Sequence, residues 1–563
     1  MRGAPVKRLL TGAEAIARGA SEHGVGLVTG RAASPPLIAL LEAAACEGVR
    51  TEHAPSERVA LQLAAGASLA GCRAVAMLGN LEGAADVLHA LATSGATGGL
   101  VALAVDDPAL ALSAVKGDAR SLARALDLPV VEPSDARECL THLAAALDLS
   151  ERWGTPVVLR LTARLALEAR PVELGDRAAP VAAGLRRDRA CRVLVPEHGP
   201  RLRGRLEERL AQLAAEGVDS PLNSTEPRGR ALGVVVGGAA YHLVREVLPD
   251  ASVLKLGLSF PLPTKLARAF AASVKELVVV EEGEPVLESE LRAAGIRCRG
   301  KDLLPGAGEL LPAALARAVG GAARSYDAPA ELAPRPLEAC PGCPGRAVFE
   351  ALKRLHVGVT ADLACSALGV FAPQAVVDSA LMAGAAPALL HGAEAVLAAR
   401  VQGRLVAVVS ERTLLHSGAL ALAQATGAGG RGTLVVLQDG ELDRAALGVD
   451  LALLARALGA GRVRTVDPCD LAGCEAALRE ELAAPATAVI LVPCPCPPPL
   501  RSGPPCAVAP ERCNRCGACL RLGCPAISDG FSSMAIDPRA CAGCGLCAQV
   551  CRAGAIAIEE LLA

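Results

Sequence analysis

The chain has 563 residues, enough for about three or four domains at the usual length per domain. Hydrophobic residues make up 52% of it and aromatic residues only 1%, so its cores must be built from Ala, Leu and Val. Its 57 Lys and Arg against 59 Asp and Glu give a formal charge of −2, which excludes a basic nucleic-acid footprint.

The N-terminus reads straight into a foldable segment without the apolar core and cleavage site of a signal peptide. No clean apolar span of about 20 residues follows, and the uncharged stretch from Ala90 to Val105 reads as a buried helix–strand unit. With 21 Cys and no secretory signal, metal ligation is expected rather than disulfides, and the cytoplasm is the expected compartment. Neither a membrane nor a nucleic acid is an expected partner.

From residue 7 to about 170, short Val/Leu runs (Val25–Val28, Ala74–Met77, Leu100–Val105, Val130–Val131, Pro156–Leu161) alternate with Ala/Leu-rich helical stretches. That is the α/β pattern of a parallel sheet. Residues 171–228 are rich in Arg, Pro and Glu and read as a linker or small adapter. A second α/β unit, 229–320, opens at Leu232-Gly-Val-Val-Val-Gly-Gly and continues through Val253-Leu-Lys-Leu-Gly and Glu276-Leu-Val-Val-Val-Glu-Glu. Gly237-Gly238 lacks the full dinucleotide fingerprint and reads as a tight strand–helix turn. Residues 321–337 read as a second linker. A third α/β unit spans 338–500, with strands at Leu405–Val409, Thr433–Leu437 and Ala488–Val492. The Pro-rich run Pro493–Pro505 leads into a small domain at 507–563.

Eight cysteines define that last domain. Cys513, Cys516, Cys519 and Cys524 form one run; Cys541, Cys544, Cys547 and Cys551 form Cys-x2-Cys-x2-Cys-x3-Cys. This is the spacing of a ferredoxin with two [4Fe–4S] clusters, in which three thiolates come from one run and the fourth from the other. Cys513, Cys516, Cys519 and Cys551 are therefore expected on one cluster, and Cys541, Cys544, Cys547 and Cys524 on the other. The alternative is a pair of zinc sites or disulfides; zinc sites usually take Cys-x2-Cys pairs rather than two quartets.

Upstream, Cys340-Pro-Gly-Cys343 is a metal half-site or a redox pair. With Cys365 and Cys496 it makes four thiolates for a third cluster, or a zinc site, or unrelated cysteines. Cys46, Cys72, Cys139, Cys191 and Cys298 are expected to be buried small hydrophobes.

The order of segments resembles the alpha subunit of the indolepyruvate ferredoxin oxidoreductases, a family of thiamine-diphosphate-dependent 2-oxoacid:ferredoxin oxidoreductases. The matching segments are Leu10-Thr-Gly-Ala-Glu-Ala-Ile-Ala-Arg-Gly, Ser56-Glu57-Arg-Val-Ala-Leu, Ala64-Ala-Gly-Ala-Ser-Leu-Ala-Gly, Asp106-Asp-Pro, Glu132-Pro-Ser-Asp, Leu254-Lys-Leu-Gly, Val280-Glu-Glu-Gly and Cys340-Pro-Gly-Cys-Pro, with the cysteine tail. The resemblance implies pyrimidine-binding, transketolase-C-like and pyrophosphate-binding domains ahead of the ferredoxin domain. It puts Glu57 on the glutamate that activates the cofactor by holding the aminopyrimidine in its imino tautomer. It puts Glu411 and Asp439 on the two Mg²⁺ ligands, Arg412 beside the diphosphate and Ser34 in the cofactor loop. It aligns Cys340, Cys343, Cys365 and Cys496 with a third cluster. It implies CoA as co-substrate, a smaller beta (gamma-type) subunit, and ferredoxin as electron acceptor.

Several positions depart from the family pattern. Glu411 and Asp439 stand for Asp and Asn, which keeps the oxygen ligands a hard cation takes. Gly345 stands for a His, and Arg31-Ala-Ala-Ser34-Pro35 replaces Tyr-Pro-Gly-Thr-Pro. Two further readings therefore stand beside an active enzyme for an aryl- or alkyl-pyruvate: a divergent paralogue with the electron relay but lost or altered thiamine chemistry, and a non-oxidative lyase.

Overall fold

The computed structural model describes residues 7–32, 34–109, 117–185, 188–306, 308–320, 339–343, 345–397, 400, 402–440, 448–493 and 503–558. The chain forms two compact units, 1–328 and 329–563.

The first unit is built on a sheet of seven strands, in the order Leu258–Phe260, Val130–Val131, Val157–Thr162, Leu100–Asp106, Arg73–Leu78, Val25–Gly30 and Thr51–His53. All neighbours are parallel except Leu258–Phe260. Leu100–Asp106 and Val157–Thr162 are buried along their whole length. An unbroken apolar run is what a parallel strand covered on both faces requires. Helices Gly12–Glu22 and Ala136–Trp153 cover one face, and Glu57–Leu69 and Ala85–Ser94 the other. Ala136–Trp153 starts where Asp135 accepts from the Glu138 N–H at 2.9 Å and stops at Gly154, in the left-handed conformation (φ 57°).

A second sheet in this unit has the order Glu276–Val280, Leu232–Val236, Ser252–Leu256 and Asn223–Glu226, the last antiparallel. Residues 171–228, expected as a linker or adapter, hold this edge strand and the 18-residue helix Gly199–Glu216. The chain passes from the second sheet into the first at Gly257, where a Cβ would lie 2.4 Å from the Leu222 carbonyl oxygen.

The two sheets are joined by buried charge. Arg120, 1% exposed, pairs with Asp118 and Glu281, each at 2.7 Å, and also bonds the Glu282 carbonyl. Arg160 pairs with Asp106 at 2.5 Å and Glu132 at 2.9 Å. Burial alone would push the Asp118 carboxyl up, but the guanidinium groups of Arg120 and Arg160 outweigh it and hold it well below the usual carboxylate range.

The second unit carries a six-stranded, all-parallel sheet in the order Ser379–Ala380, Gly358–Ala361, Leu405–Ser410, Thr433–Gln438, Ala488–Pro493 and Arg462–Thr465. The cysteine domain follows as two antiparallel ribbons, Cys506–Val508 with Ile556–Ile558 and Ile527–Asp529 with Met534–Ile536. Its Leu522, Ile527, Met534 and Leu546 share one core with Val348, Leu352, Val435 and Ile490 of the parallel sheet and its helices. The fold class is thus α/β with a C-terminal α+β cysteine domain. Among the described residues no helix is long and apolar enough to cross a membrane.

Candidate functional site

The cysteine domain encloses two voids. One is lined by Cys513, Cys516, Cys519 and Cys551, with Val508, Met534 and Ile556. The other is lined by Cys524, Cys541, Cys544 and Cys547, with Ala526, Ile536 and Leu546. Each void takes three thiols from one run and one from the other. Four thiols around an apolar void fit a [4Fe–4S] cube, whose four iron corners each take one thiolate. Among the described residues, no three His, Cys, Asp or Glu side chains converge as one bound metal ion would require.

The Cys340-Pro-Gly-Cys343 loop packs on the second void. Cys343 lines it. Gly342 has φ 72°, and a Cβ there would meet Ala542 Cβ at 2.3 Å, so only glycine allows the approach. Arg346 anchors the loop by donating to the carbonyl oxygens of Ala339 (2.6 Å), Cys340 (3.1 Å) and Leu522 (2.9 Å). Cys365 is exposed, in the turn Ala364–Val370 after strand Gly358–Ala361. Cys496 lies outside the described residues, as does the expected linker 321–337. Of the five cysteines expected as buried fillers, Cys139 and Cys191 are buried, but Cys46 is exposed at the end of helix Pro35–Cys46.

In each large sheet the strand order reverses once at a carboxyl edge that carries candidate residues; such switch points are the usual ligand sites of open α/β sheets. In the first unit the reversal lies between Val25–Gly30 and Arg73–Leu78. Arg31 and Gly79 follow these strand ends, and the Glu57 carboxylate lies between them. Glu57 opens helix Glu57–Leu69 behind the N-cap Ser56 and is 3% exposed. Arg31 Nη1 donates to Glu57 Oε1 at 3.2 Å. Cβ atoms added at Gly79 and Gly83 would lie 3.6 and 3.4 Å from the Glu57 carboxylate oxygens, so these glycines keep the space beside it clear. Ser34 is the N-cap of helix Pro35–Cys46 but makes no side-chain capping bond.

In the second unit the reversal lies between Gly358–Ala361 and Leu405–Ser410. Glu411 follows the second of these strands and is 4% exposed. Asp439 follows the neighbouring strand, whose Leu437 is in register with Ser410. The two acids expected as cation ligands thus stand at adjacent strand ends. Arg412 follows Glu411 in the short helix Glu411–Thr413, half-buried. Asp362, fully buried at the end of Gly358–Ala361, accepts from the Gly384 and Ala386 N–H groups at 2.9 and 3.0 Å. Burial pushes its carboxyl up, against these bonds and one from Thr413.

The 4Fe-4S binding domain family matches residues 534–557. Over 610 aligned positions the chain is 32% identical to the indolepyruvate oxidoreductase subunit IorA of Methanothermobacter thermautotrophicus, covering 98% of this chain and 97% of the relative. The chain belongs to the indolepyruvate oxidoreductase IorA family. The IorA subunit of Archaeoglobus fulgidus is 30% identical over 97% of this chain and 96% of its own. Among solved structures, a 2-oxoglutarate:ferredoxin oxidoreductase from Magnetococcus marinus is similar at a TM-score of 0.43 and 15% identity, over 52% of this chain and 61% of that one.

Three residues of this IorA-family chain were missed by sequence spacing. Arg31 meets Glu57 across 26 positions, a contact that no local motif signals. Asp362 sits only three positions before Cys365, yet no recognised pattern includes it. Cys506, 3% exposed, lines the second cysteine void although it lies outside both quartets.

Proposed function

We propose that this chain is the catalytic and electron-relaying subunit of an enzyme that oxidatively decarboxylates an aryl 2-oxoacid of the indolepyruvate type to its acyl-CoA. Electrons pass through the [4Fe–4S] clusters to ferredoxin. The single observation that carries the reading is the pairing of two four-thiol voids with near full-length identity to indolepyruvate oxidoreductase subunits. A smaller beta subunit completes the enzyme, which works in the cytoplasm with thiamine diphosphate, Mg²⁺ and CoA.

Thiamine diphosphate supplies the nucleophilic carbon and electron sink that decarboxylation needs. The residues of each switch point fit part of that task. Glu57 is a buried carboxylate at a strand-order reversal, suited to hold a proton at an aminopyrimidine nitrogen. Glu411 and Asp439 offer oxygen ligands at adjacent strand ends, as Mg²⁺ prefers. Arg412 supplies positive charge for a diphosphate. Ser34 offers a hydroxyl in the loop after strand Val25–Gly30. Cys340, Cys343 and Cys365 would hold a third cluster with Cys496, and the seat of Cys343 on the second void supports electron transfer from there into the ferredoxin domain.

A second reading is favoured by the Arg31–Glu57 ion pair. A guanidinium on the activating carboxylate competes with the aminopyrimidine, as expected of a paralogue that keeps the relay but has altered thiamine chemistry.

Cofactor content of anaerobically purified protein separates the two. The enzyme reading expects thiamine diphosphate and Mg²⁺ bound alongside iron. Full iron with no thiamine diphosphate, even when it is supplied, would sink it. A third cluster adds about four iron atoms to the eight of two clusters.

A further inference from the structure

The void of Cys524, Cys541, Cys544 and Cys547 is lined by two further thiols, Cys343 of the upstream loop and Cys506 of the cysteine domain itself. Cys506 lines it from the first residue of strand Cys506–Val508. Its backbone N–H donates to Cys541 Sγ at 3.4 Å, and it lines the same void as Cys547. The sister void differs. The same strand presents Val508 to it, and its four lining thiols are all members of the quartets. Strand Cys506–Val508 therefore presents a surplus sulfur to one void and a methyl-bearing side chain to the other.

We propose that Cys506 is a reserve ligand for this cluster, able to take the iron that Cys547 holds. A cube needs four thiolates, and Cys506 lines the same void as the ligand it would replace. When Cys547 is lost, the missing Fe–S bond is replaced by one to Cys506 Sγ. The Cys506 thiol gives its proton to solvent, so the site keeps four thiolates and its charge, and no oxidant or reductant is consumed. The short strand Cys506–Val508 has little to move, since Cys506 already lines the void. In the sister site Val508 offers no such substitute.

The test is iron content and the electron paramagnetic resonance signal of the dithionite-reduced protein, made anaerobically as the full chain. Cys547→Ala is expected to keep the iron of the parent protein, and Cys506→Ala alone is expected to do the same. Cys506→Ala with Cys547→Ala is expected to lose about four iron atoms, one cluster. Cys551→Ala, in the sister site, is expected to lose about four on its own. Loss of a cluster from Cys547→Ala alone would overturn the proposal. So would loss from Cys506→Ala alone, because Cys506 would then be an obligatory part of the site. Retention of both clusters in the double variant would also overturn it.

Discussion

Arg31 holds Glu57: its Nη1 donates to Glu57 Oε1 across 3.2 Å, with the two side chains only 15% and 3% exposed. A ligand that takes the Glu57 carboxylate must displace this guanidinium. Arg31→Ala removes the competitor and leaves the buried carboxylate short of a donor. The variant is expected to lose about 1–3 kcal/mol of stability without ligand. It is also expected to bind thiamine diphosphate about tenfold more tightly, a gain of roughly 1.4 kcal/mol. Anaerobic titration calorimetry and urea unfolding give the two numbers. Lost stability with unchanged affinity would make Arg31 a structural partner only.

The Arg120 network makes a sharper demand on stability. Removing one partner of a buried pair strands the other charges, at a cost of about 3–5 kcal/mol. Arg120→Ala is expected to destabilise the first unit by that amount. Trp153, the chain's single tryptophan, sits at the end of helix Ala136–Trp153 in this unit and reports its unfolding by fluorescence. Arg203→Ala is the control: Arg203 is 60% exposed and pairs with Glu207 (61%) and Asp127 (26%), so its loss should cost less than about 1 kcal/mol.

The same fluorescence tests a pH effect. Burial pushes the His142 imidazole down to about 4, with Lys255 acting in the same sense and Glu138 and Asp135 opposing. An unfolded imidazole takes its proton near pH 6.5, roughly the ordinary value. Between these values the unfolded chain binds the extra proton, so stability falls as pH drops through this window and this contribution levels off below it. His142→Leu should flatten that part of the curve. An unchanged slope would assign the acid sensitivity to other groups.

The cross-linked assignment of the eight cysteines also has a direct test, made in a Cys506→Ala background so that Cys506 does not stand in for a lost ligand. Cys516→Ala with Cys551→Ala removes two ligands of one void and should cost about four iron atoms; Cys544→Ala with Cys551→Ala spans both voids and should cost about eight. The opposite order would mean that each run closes its own cluster.

Much of the framework was readable from the chain. Val25–Val28, Leu100–Val105, Leu405–Val409 and Thr433–Leu437 are apolar on both faces because both faces are covered, and such strands announce themselves. The short partners Thr51–His53, Asn223–Glu226 and Arg462–Thr465 did not, because edge strands bury little and carry polar residues. Segments that carry the family resemblance proved to be largely interior scaffold. Asp106, Glu132 and Glu281 converge on Arg120 and Arg160, and Lys255 bonds Ser134 Oγ at 2.9 Å.

The candidate site was legible where local spacing defines it. The eight terminal cysteines stand out because three of each quartet fall within one turn-rich loop, and the fold gathers them around two voids. Arg31, Asp362 and Cys506 act through contacts made only in the fold. Arg31 stood out in the chain as a replaced family residue, but its engagement with Glu57 is set by the adjacency of strands Val25–Gly30 and Arg73–Leu78. Cys506 lies seven positions before its nearest quartet, and only the ribbon with Ile556–Ile558 brings it to the void.

Whether the Glu57 site feeds the clusters is decided by one experiment. The chain, co-produced with the proposed smaller subunit and supplied with thiamine diphosphate, Mg²⁺ and CoA, is mixed anaerobically with indolepyruvate, and cluster reduction is followed by electron paramagnetic resonance. The proposed function predicts a reduced-cluster signal that depends on the 2-oxoacid and vanishes in Glu57→Gln. Clusters that dithionite reduces but no aryl 2-oxoacid does would contradict it.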